Sequence, residues 1–268
     1  MAVTETAVAT DAAILLRNDR DGVATLTLNR PNQFNALSEE LLDALQAELD
    51  AIASSEAHRV VVIAGAGKAF CAGHDLKQMR SRPQQEYYRE LFGRCARVML
   101  SLQRIPQPVI ARVHGIATAA GCQLVAACDL AVAAEEARFA VSGINVGLFC
   151  STPAVALSRN VARKHAAEML FTGEFVDARR AAEIGLVNRV VAADELDSEV
   201  QQLADAICAK SPLAIRLGKE TFYRQVELGL EEAYRVASGA MVCNMMTEDA
   251  AEGIDAFIER RTPTWRGR

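Results

Sequence analysis

Hydrophobic positions along the chain follow two periods, one typical of strands and one typical of helices. Two short β-like runs, 13–17 and 22–28, are joined by the turn-rich segment NDRDG, and together they predict a hairpin. Over residues 39–54, apolar side chains recur at helical spacing behind Ser38, a residue type that favours the N-cap position. We therefore expect an amphipathic helix directly after the hairpin.

Strands and helices keep alternating through the middle of the chain. The apolar, β-branched run 59–65 predicts a buried strand, and PQPVIARVHG predicts a second one that ends at Gly115. GCQLVAAC predicts a helix that begins behind a turn of small residues. The remaining elements predicted here are helices at about 83–102, 153–160, 163–172 and 178–184, two short strands in DLAVAAEEARFAV and one strand in VNRVV. This alternation indicates an α/β fold with a parallel sheet and crossover connections.

The last part of the chain is helical in pattern, from about Leu196 to Arg260, and Pro212 begins one of its helices. Its segment GAMVCNMM is rich in Met and Ala, which suits packing between subunits and equally suits an ordinary core. No internal repeat and no low-complexity linker divides the chain. We expect a core over residues 1–200 and a C-terminal helical region over residues 201–268.

Composition and charge limit the kinds of partner. With 51% hydrophobic and 24% charged residues, the chain has the composition of a globular protein. A formal charge of −5 and the lack of a basic run argue against a nucleic-acid partner, but local basic residues still allow an anionic small ligand. No apolar run reaches membrane-spanning length, so we expect no membrane partner.

The cysteines and the N-terminal residues indicate the compartment. The seven cysteines form no CxxC pair, and no His cluster has metal-ligand spacing, so we expect no metal site. Scattered cysteines in apolar surroundings usually act as small buried hydrophobes, which suits a reducing compartment. The segment MAVTETAVATDAAILL has no basic residue before Arg17 and fits neither a secretory signal nor an Arg-rich transit peptide. These features predict a cytoplasmic protein.

Two strands are each followed by a turn of small residues and a helical stretch, in VVVIAGAGKAFCAGHDL and PVIARVHGIATAAGCQL. In α/β sheets, ligands bind beyond the carboxyl ends of the strands. Turns of Gly and Ala leave backbone N–H groups uncovered, and two such turns facing each other would form an oxyanion hole. The alternative is that the small residues only allow strand and helix to pack tightly. Neither loop contains GxGxxG or GK[ST], and no GxSxG elbow occurs in the chain.

Five segments along the chain resemble the crotonase superfamily, the enoyl-CoA hydratase/isomerase group. They are NRPNQFNALS, GAGKAFCAGHDL, PVIARVHGIATAAGCQLVAACDLAVA, FTGEFVDARRAAEIGLVNRVV and FIERRTPTW, in order from about residue 14 to 265. GIATAAGCQLVAACD and NVGLFCSTP are most similar to the enoyl-CoA hydratase domain-containing protein 3 branch. The resemblance implies a crotonase-like spiral of ββα turns and a C-terminal all-α trimerisation region. It also implies self-association as a homotrimer or as a hexamer formed by two trimers.

The resemblance further implies an acyl-CoA thioester as ligand, and no cofactor apart from the coenzyme A of that substrate. Its thioester oxygen is expected between the backbone N–H groups of His74 and Ala120. Backbone near Ala72, His74 and Leu76 is expected to line the adenine pocket. Asp75 belongs to the same loop, where an Asp commonly fixes a turn by bonding nearby backbone.

Hydratases of this family use two glutamates as general acid and base, and neither is present here. The first position is held by Gln123 and the second by Gly143. Gln123 can donate and accept hydrogen bonds but has no proton to exchange near neutral pH. Because general acid–base help contributes roughly 10²–10⁴-fold, the sequence predicts weak or altered hydratase or isomerase activity.

Other residues near these positions are alternative catalytic groups. Cys150 would be a nucleophile if its thiolate were stabilised, and otherwise is one more small apolar residue. Ser151 lies where the related dienoyl-CoA isomerases look to carry an additional acid. The imidazole of His74 is a candidate base, since an unperturbed histidine titrates near pH ~6.5. Three functions therefore stay open: an acyl-CoA enzyme, a non-catalytic acyl-CoA-binding protein, and a thioester hydrolase that uses Cys150.

Overall fold

The computed structural model describes residues 13–268, and most of the N-terminal segment discussed above lies outside them. Ten strands occur in this part of the chain, and short ones alternate with longer ones. They are β1 (Leu15–Arg20), β2 (Val23–Leu28), β3 (Val60–Gly65), β4 (Ala69–Cys71), β5 (Val109–Val113), β6 (Ile116–Thr118), β7 (Leu130–Ala134), β8 (Arg138–Ala140), β9 (Val176–Asp177) and β10 (Arg189–Val191).

Helices connect these strands and make up the C-terminal part. They are α1 (Glu39–Ala53), α2 (Leu76–Ser81), α3 (Gln85–Arg104), α4 (Ala120–Ala127), α5 (Ser151–Asn160), α6 (Arg163–Thr172), α7 (Ala178–Glu183), α8 (Leu196–Cys208), α9 (Pro212–Gln225), α10 (Leu230–Met245) and α11 (Glu248–Glu259). Short 3-10 helices lie at Pro31–Gln33 and Ser142–Val146.

The strands form two sheets, and the chain passes from one sheet to the other in a repeated ββα unit. The larger sheet has the order β1-β2-β3-β5-β7-β10, and its strands are parallel except for the β1–β2 hairpin. The smaller sheet has the order β4-β6-β8-β9, with only β8 and β9 antiparallel. The pairs β3–β4, β5–β6 and β7–β8 each place one strand in each sheet and lead into a helical segment. This arrangement confirms the predicted α/β class and the spiral of ββα turns.

The larger sheet is buried on both faces, as parallel sheets usually are. On β3, Val61 and Ile63 belong to the main core with α1, α3 and α4, while Val60 and Val62 face a second apolar cluster. Helix α8 closes that second cluster with residues such as Val200. The continuous apolar run that predicted this strand therefore has a direct cause, because both sets of alternating side chains are covered.

The C-terminal helices are present as predicted, but the boundary expected at residue 200 falls inside α8. This helix packs on the larger sheet and so belongs to the core, whereas α9, α10 and α11 follow it and bury few of their side chains. The sequence pattern could not separate α8 from them, because all four helices are amphipathic and follow one another with short connections.

No helix within residues 13–268 is long and apolar enough to cross a membrane. Over the same residues, no group of three or more His, Cys, Asp or Glu side chains is placed to hold a metal ion. Five of the seven cysteines are buried and free, as expected of small apolar residues, while Cys208 is half-buried and Cys243 is exposed.

Candidate active site

The loop that follows β4 is held in place by Leu37. The Leu37 N–H donates to the Gly73 carbonyl at 2.7 Å, and the Asp75 N–H donates back to the Leu37 carbonyl at 3.2 Å. The N–H of His74 lies between these two bonds and has no acceptor within the described residues. It is therefore free to bind an oxygen of a ligand.

The second loop turns sharply at Ala119, just before α4. Ala119 has φ 50° and ψ −119°, a left-handed backbone conformation that residues with a side chain rarely adopt. Such strain costs on the order of 1–3 kcal/mol and is most often found at functional sites. Its own N–H donates to the Ala140 carbonyl at 2.9 Å. The next N–H, that of Ala120, begins α4 and has no acceptor within residues 13–268, and no side chain caps this helix.

The two loops are in direct backbone contact. Gly73 has φ +89°, and a Cβ there would lie 2.9 Å from the Ala119 Cβ and 3.2 Å from the Ala120 nitrogen. A Cβ on Gly121 would lie 2.0 Å from the Cys71 carbonyl oxygen. Only glycine allows these approaches. The structure thus brings together the two segments that carry the free N–H groups of His74 and Ala120.

The side chain of His74 is half-buried against α3, with both ring nitrogens shielded from solvent. Its ring meets the ring of Phe92 edge-on, with centroids 5.6 Å apart, and neither ring nitrogen has a hydrogen-bond partner within residues 13–268. Burial lowers the pKa of His74 from 6.5 to about 4, because the charged imidazolium is poorly solvated there. At neutral pH the imidazole is uncharged and a weaker base than the unperturbed histidine considered from the sequence.

Gln123 lies one helical turn after Ala120 and is 4% exposed. Its N–H donates to the Ala119 carbonyl at 3.1 Å, so its backbone belongs to the first turn of α4. The side-chain Oε1 is buried and has no partner in the described chain. Since nearly all buried polar atoms in folded proteins are hydrogen-bonded, this oxygen is suited to accept a bond from a ligand or a bound water.

The space that a side chain at position 143 would need is already filled by neighbouring atoms. A Cβ there would lie 2.4 Å from the Leu148 carbonyl oxygen and 2.8 Å from the Cys150 Sγ. The Leu148 N–H also donates to the Gly143 carbonyl at 2.9 Å. A glutamate at this position therefore requires the segment 148–150 to move.

Cys150 and Ser151 stand at the start of α5 in different surroundings. Cys150 is 7% exposed and belongs to the main core, and burial raises the pKa of its thiol. A thiolate is disfavoured there, which supports its role as an apolar core residue over the nucleophile considered from the sequence. Ser151 is exposed, and its hydroxyl donates to the Phe149 carbonyl at 3.5 Å.

Hydrogen bonds to Asp75 fix the end of the loop that is expected to line an adenine pocket. This carboxylate accepts the N–H groups of Lys77 and Gln78 and so caps α2. Arg30 also donates to it at 2.9 Å. Burial alone would raise the pKa of Asp75, but the bond from Arg30 and the two backbone bonds lower it overall. Beside it, Ala72 is half-buried and Leu76 is 53% exposed, as a residue that contacts a bound ligand would be.

Two other residues, which no motif indicates, link the segments of the site. Thr118 Oγ1 and Ser142 Oγ are 2.7 Å apart, so the end of β6 is tied to the residue before Gly143. Neither residue belongs to a recognisable motif, and only the folded chain brings them within reach.

Comparison with known proteins agrees with this geometry. A sequence model described as enoyl-CoA hydratase/isomerase matches residues 18–268. The chain belongs to this family. The enoyl-CoA hydratase domain-containing protein 3 of Rattus norvegicus, named as mitochondrial, is 46% identical over 92% of this chain and 82% of its own length.

Solved structures of the family have the same fold. An enoyl-CoA hydratase of Mycobacterium smegmatis is 61% identical, with a TM-score of 0.93 over 95% of this chain and 99% of its own. The human enoyl coenzyme A hydratase domain-containing protein 3 is 44% identical, with a TM-score of 0.92 over 94% of this chain and 100% of its own. These findings confirm the resemblance to the crotonase superfamily and to the branch named above.

The expected cytoplasmic location is contradicted by the same comparison. The rat and human relatives are named as mitochondrial proteins. The prediction had depended on the residues before Arg17, and the absence of a basic segment there was too weak a signal to decide the compartment.

Proposed function

We propose that this chain binds an acyl-CoA thioester and acts on it as an enoyl-CoA hydratase- or isomerase-like enzyme of weak or altered activity. The observation that carries the proposal is the contact between Gly73 and the turn at Ala119, which brings together the two segments that carry the free N–H groups. In this proposal His74 and Ala120 bind the thioester oxygen and stabilise the negative charge that develops on it. The positive N-terminal end of α4 acts in the same direction.

Gln123 and Gly143 limit the general acid–base catalysis that the site can provide. With no carboxyl group at either position, the usual pair that activates water and returns a proton is missing. In the proposal, the unpaired Oε1 of Gln123 orients a water molecule or a polar group of the acyl chain. The neutral imidazole of His74 packs beside the thioester and carries no charge. No cofactor other than the coenzyme A of the substrate is part of the proposal.

A non-catalytic acyl-CoA-binding protein is the second candidate, and the missing carboxylates favour it. Such a protein would bind the thioester at the same site as the proposed enzyme but would not convert it. Thioester hydrolysis through Cys150 has the least support, because burial disfavours the thiolate.

We also propose that the chain self-associates as a homotrimer or as a hexamer of two trimers. Large apolar side chains stay exposed on the C-terminal helices, among them Leu230 at 77%, Met246 at 83% and Phe257 at 84%. Exposed apolar surface on this scale usually marks an interface.

Hydration of crotonyl-CoA, followed by the loss of enoyl absorbance, tests the catalytic part. The variant Gln123→Glu places one carboxyl group at a position whose backbone need not move, and we expect it to hydrate at least tenfold faster than wild type, by general acid–base help. Gln123→Met is the matched control and should stay at or below the wild-type rate. A fast wild-type rate that Gln123→Glu leaves unchanged would contradict the assigned role of this position.

Thermal unfolding with and without coenzyme A or a short acyl-CoA tests the binding part. A ligand that binds the folded state raises the melting temperature. We expect such a shift for wild type and for Gln123→Met alike, because the thioester donors are backbone groups. No shift at millimolar ligand would rule out both the enzyme and the binding protein. A shift without turnover of any enoyl-CoA would select the binding protein.

A further inference from the structure

A second cavity lies at the opposite edge of the larger sheet from the candidate active site. It has a volume of about 570 Å³ and is lined by residues that include Arg59 and Gln107. Arg59 directly precedes β3 and Gln107 precedes β5, so both stand at the amino ends of these parallel strands. The loops with His74 and Ala120 follow β4 and β6, which come after the carboxyl ends of β3 and β5 along the chain and belong to the smaller sheet. The residues of the cavity and those of the candidate active site therefore precede and follow these strands, respectively.

Arginines are the most numerous ionisable residues in the lining of this cavity, which we call the basic cavity. Its charged lining consists of Arg59, Arg216, Arg266 and Arg268 together with Glu56 and His58. Arg266 and Arg268 pair with Glu248 at 3.5 and 3.0 Å. Within residues 13–268, the guanidinium of Arg59 donates to the Lys210 carbonyl, and the exposed guanidinium of Arg216 has no hydrogen-bond partner. Arg59 and Arg216 are thus the two arginines of the lining that form no ion pair with a carboxylate of the described residues.

An unpartnered polar atom lies in the wall of the same cavity. Gln107 is 5% exposed, and its Nε2 donates to the carbonyls of Ile52 at 2.9 Å and Ser55 at 3.2 Å. These two bonds fix the orientation of the amide. Its Oε1 is buried without a donor in the described chain. Leaving a buried acceptor unsatisfied costs about 1–3 kcal/mol, so this atom is suited to a ligand that donates a hydrogen bond.

The walls of the basic cavity are held in place without a ligand. Asp249, which is 3% exposed, accepts the hydroxyl of Ser211 and the N–H groups of Arg266 and Gly267 at 2.5–3.1 Å. This carboxylate therefore fixes the segment 266–268 against the start of α9. A preformed cavity binds at a smaller ordering cost than one that must assemble around its ligand.

Apolar residues complete the lining, with Pro106 on one side and Leu213 and Ile215 of α9 on the other. A cavity of this volume is within the usual range for small-molecule sites, roughly 300–1,000 Å³. Guanidinium groups bind phosphate strongly, and an apolar wall suits a base or a sugar ring. Inorganic phosphate alone would use neither the apolar wall nor the buried acceptor.

We propose that the basic cavity binds a nucleoside monophosphate, with its phosphate on Arg59 and Arg216 and an amino or hydroxyl group donating to Gln107 Oε1. This site is additional to the thioester site of the proposed function and does not depend on it. Because the ligand touches the ends of α1 and α8, the start of α9 and the segment 266–268, it stabilises the packing of the C-terminal helices on the core.

Isothermal titration of the full chain with AMP, adenosine and inorganic phosphate, at one fixed ionic strength, tests the proposal. We expect AMP to bind at least tenfold more tightly than either adenosine or phosphate. Arg216→Gln should weaken AMP binding about tenfold, the loss of one charge-assisted hydrogen bond of about 1.5 kcal/mol. Arg163→Gln is the matched control, since this arginine is equally exposed but lies outside the basic cavity. It should leave the affinity for AMP unchanged.

Titration with coenzyme A in the presence of saturating AMP separates the two sites. We expect unchanged coenzyme A affinity in wild type and in Arg216→Gln. The proposal is overturned if wild type binds no AMP at millimolar concentration, if phosphate binds as tightly as AMP, or if Arg163→Gln weakens AMP as much as Arg216→Gln does. It is also overturned if coenzyme A displaces AMP and Arg216→Gln weakens both, since the anion would then occupy the thioester ligand's own site.

Discussion

The imidazole of His74 shows how burial changes the chemistry of a single residue. Both nitrogens are shielded from solvent without a partner in the described chain, and the ring packs on Phe92, so the charged form is poorly stabilised there. The side chain therefore contributes shape and a neutral polar edge at the site. The backbone N–H of His74 remains available to a ligand oxygen whether or not the ring is protonated.

The lowered pKa of His74 predicts a pH dependence of stability. As the pH falls, the unfolded chain takes up a proton on this residue near pH ~6.5, whereas the folded chain does so only near pH 4. The unfolded state binds more protons in this window, so the free energy of unfolding falls by about 3 kcal/mol as pH decreases through it. Urea unfolding at pH 7, 5.5 and 4.5 measures the change.

The variants His74→Gln and His74→Asn remove the titrating group and should lose much less stability over the same pH range. They serve as controls for each other, because neither amide titrates. A slope equal to that of wild type in both variants would show that other groups cause the pH dependence.

At the same scale, the sequence named candidate site residues but not their surroundings. The family resemblance pointed to His74, Ala120, Gln123 and Gly143, and their roles stay predictions. The tight packing of Gly143 was not predictable, because it depends on a carbonyl oxygen and a sulfur atom that the chain brings back several residues later.

Among the elements, those with a long periodic pattern were predicted closely, whereas the three-residue strands β4 and β6 were not predicted. The helix expected over 39–54 is Glu39–Ala53, and the strand expected over 59–65 is Val60–Gly65. The smaller sheet was missed as a sheet, because β4 and β6 have three residues each and such a run shows no period. Their place in the fold is set by hydrogen bonds to strands distant in sequence.

Helix α9 is attached to the core by a buried ion pair. Lys219 donates to Asp129 at 2.6 Å and to the carbonyls of Leu102 and Gln107 at 2.7 and 2.8 Å. The other oxygen of Asp129 accepts the Tyr223 hydroxyl at 2.8 Å. Burial lowers the pKa of Lys219, and Asp129 opposes that effect. Each of the three N–H groups of the Lys219 ammonium thus has an acceptor inside the protein.

Replacing Lys219 by Met should destabilise the chain strongly, since it leaves Asp129 buried with a charge and without its cation. Loss of one partner of a buried pair costs about 3–5 kcal/mol, and we expect an effect of this size in the free energy of unfolding. Chemical denaturation monitored by circular dichroism measures it. Arg235→Met breaks an exposed pair with Glu232 and is the control, with a much smaller expected loss because water and salt screen such a pair. Equal effects of the two changes would contradict the structural role of the buried pair.

For the whole molecule, the distribution of apolar side chains is uneven. The core residues are covered, whereas α10 and α11 expose Met241, Val242, Met246, Phe257 and Ile258 at more than half of their accessible surface. Apolar surface of this kind gains free energy when a partner removes it from water. The proposed homotrimer supplies such a partner without any other protein.

The double variant Met246→Glu with Phe257→Glu should shift the protein towards the monomer, because association would then bury two unpaired carboxylates. Light scattering after gel filtration at micromolar concentration gives the mass. Leu16→Glu changes an apolar side chain of similar kind that is 44% exposed on β1, away from the C-terminal helices, and should leave the mass unchanged. A monomeric wild type would contradict the proposal.

The free N–H groups of His74 and Ala120 belong to the peptide backbone, and this has a practical consequence for genetics. Exchanging the side chains at these two positions leaves both donors in place. An alanine scan through the loops therefore does not detect their contribution. If these donors bind the thioester oxygen as proposed, a substitution that removes their contribution has to alter the path of the chain instead. Gly73, with φ +89° and Ala119 against it, is the position where one codon change does so. Complementation with a Gly73→Val allele then reports on the loop geometry itself, separately from any acid or base.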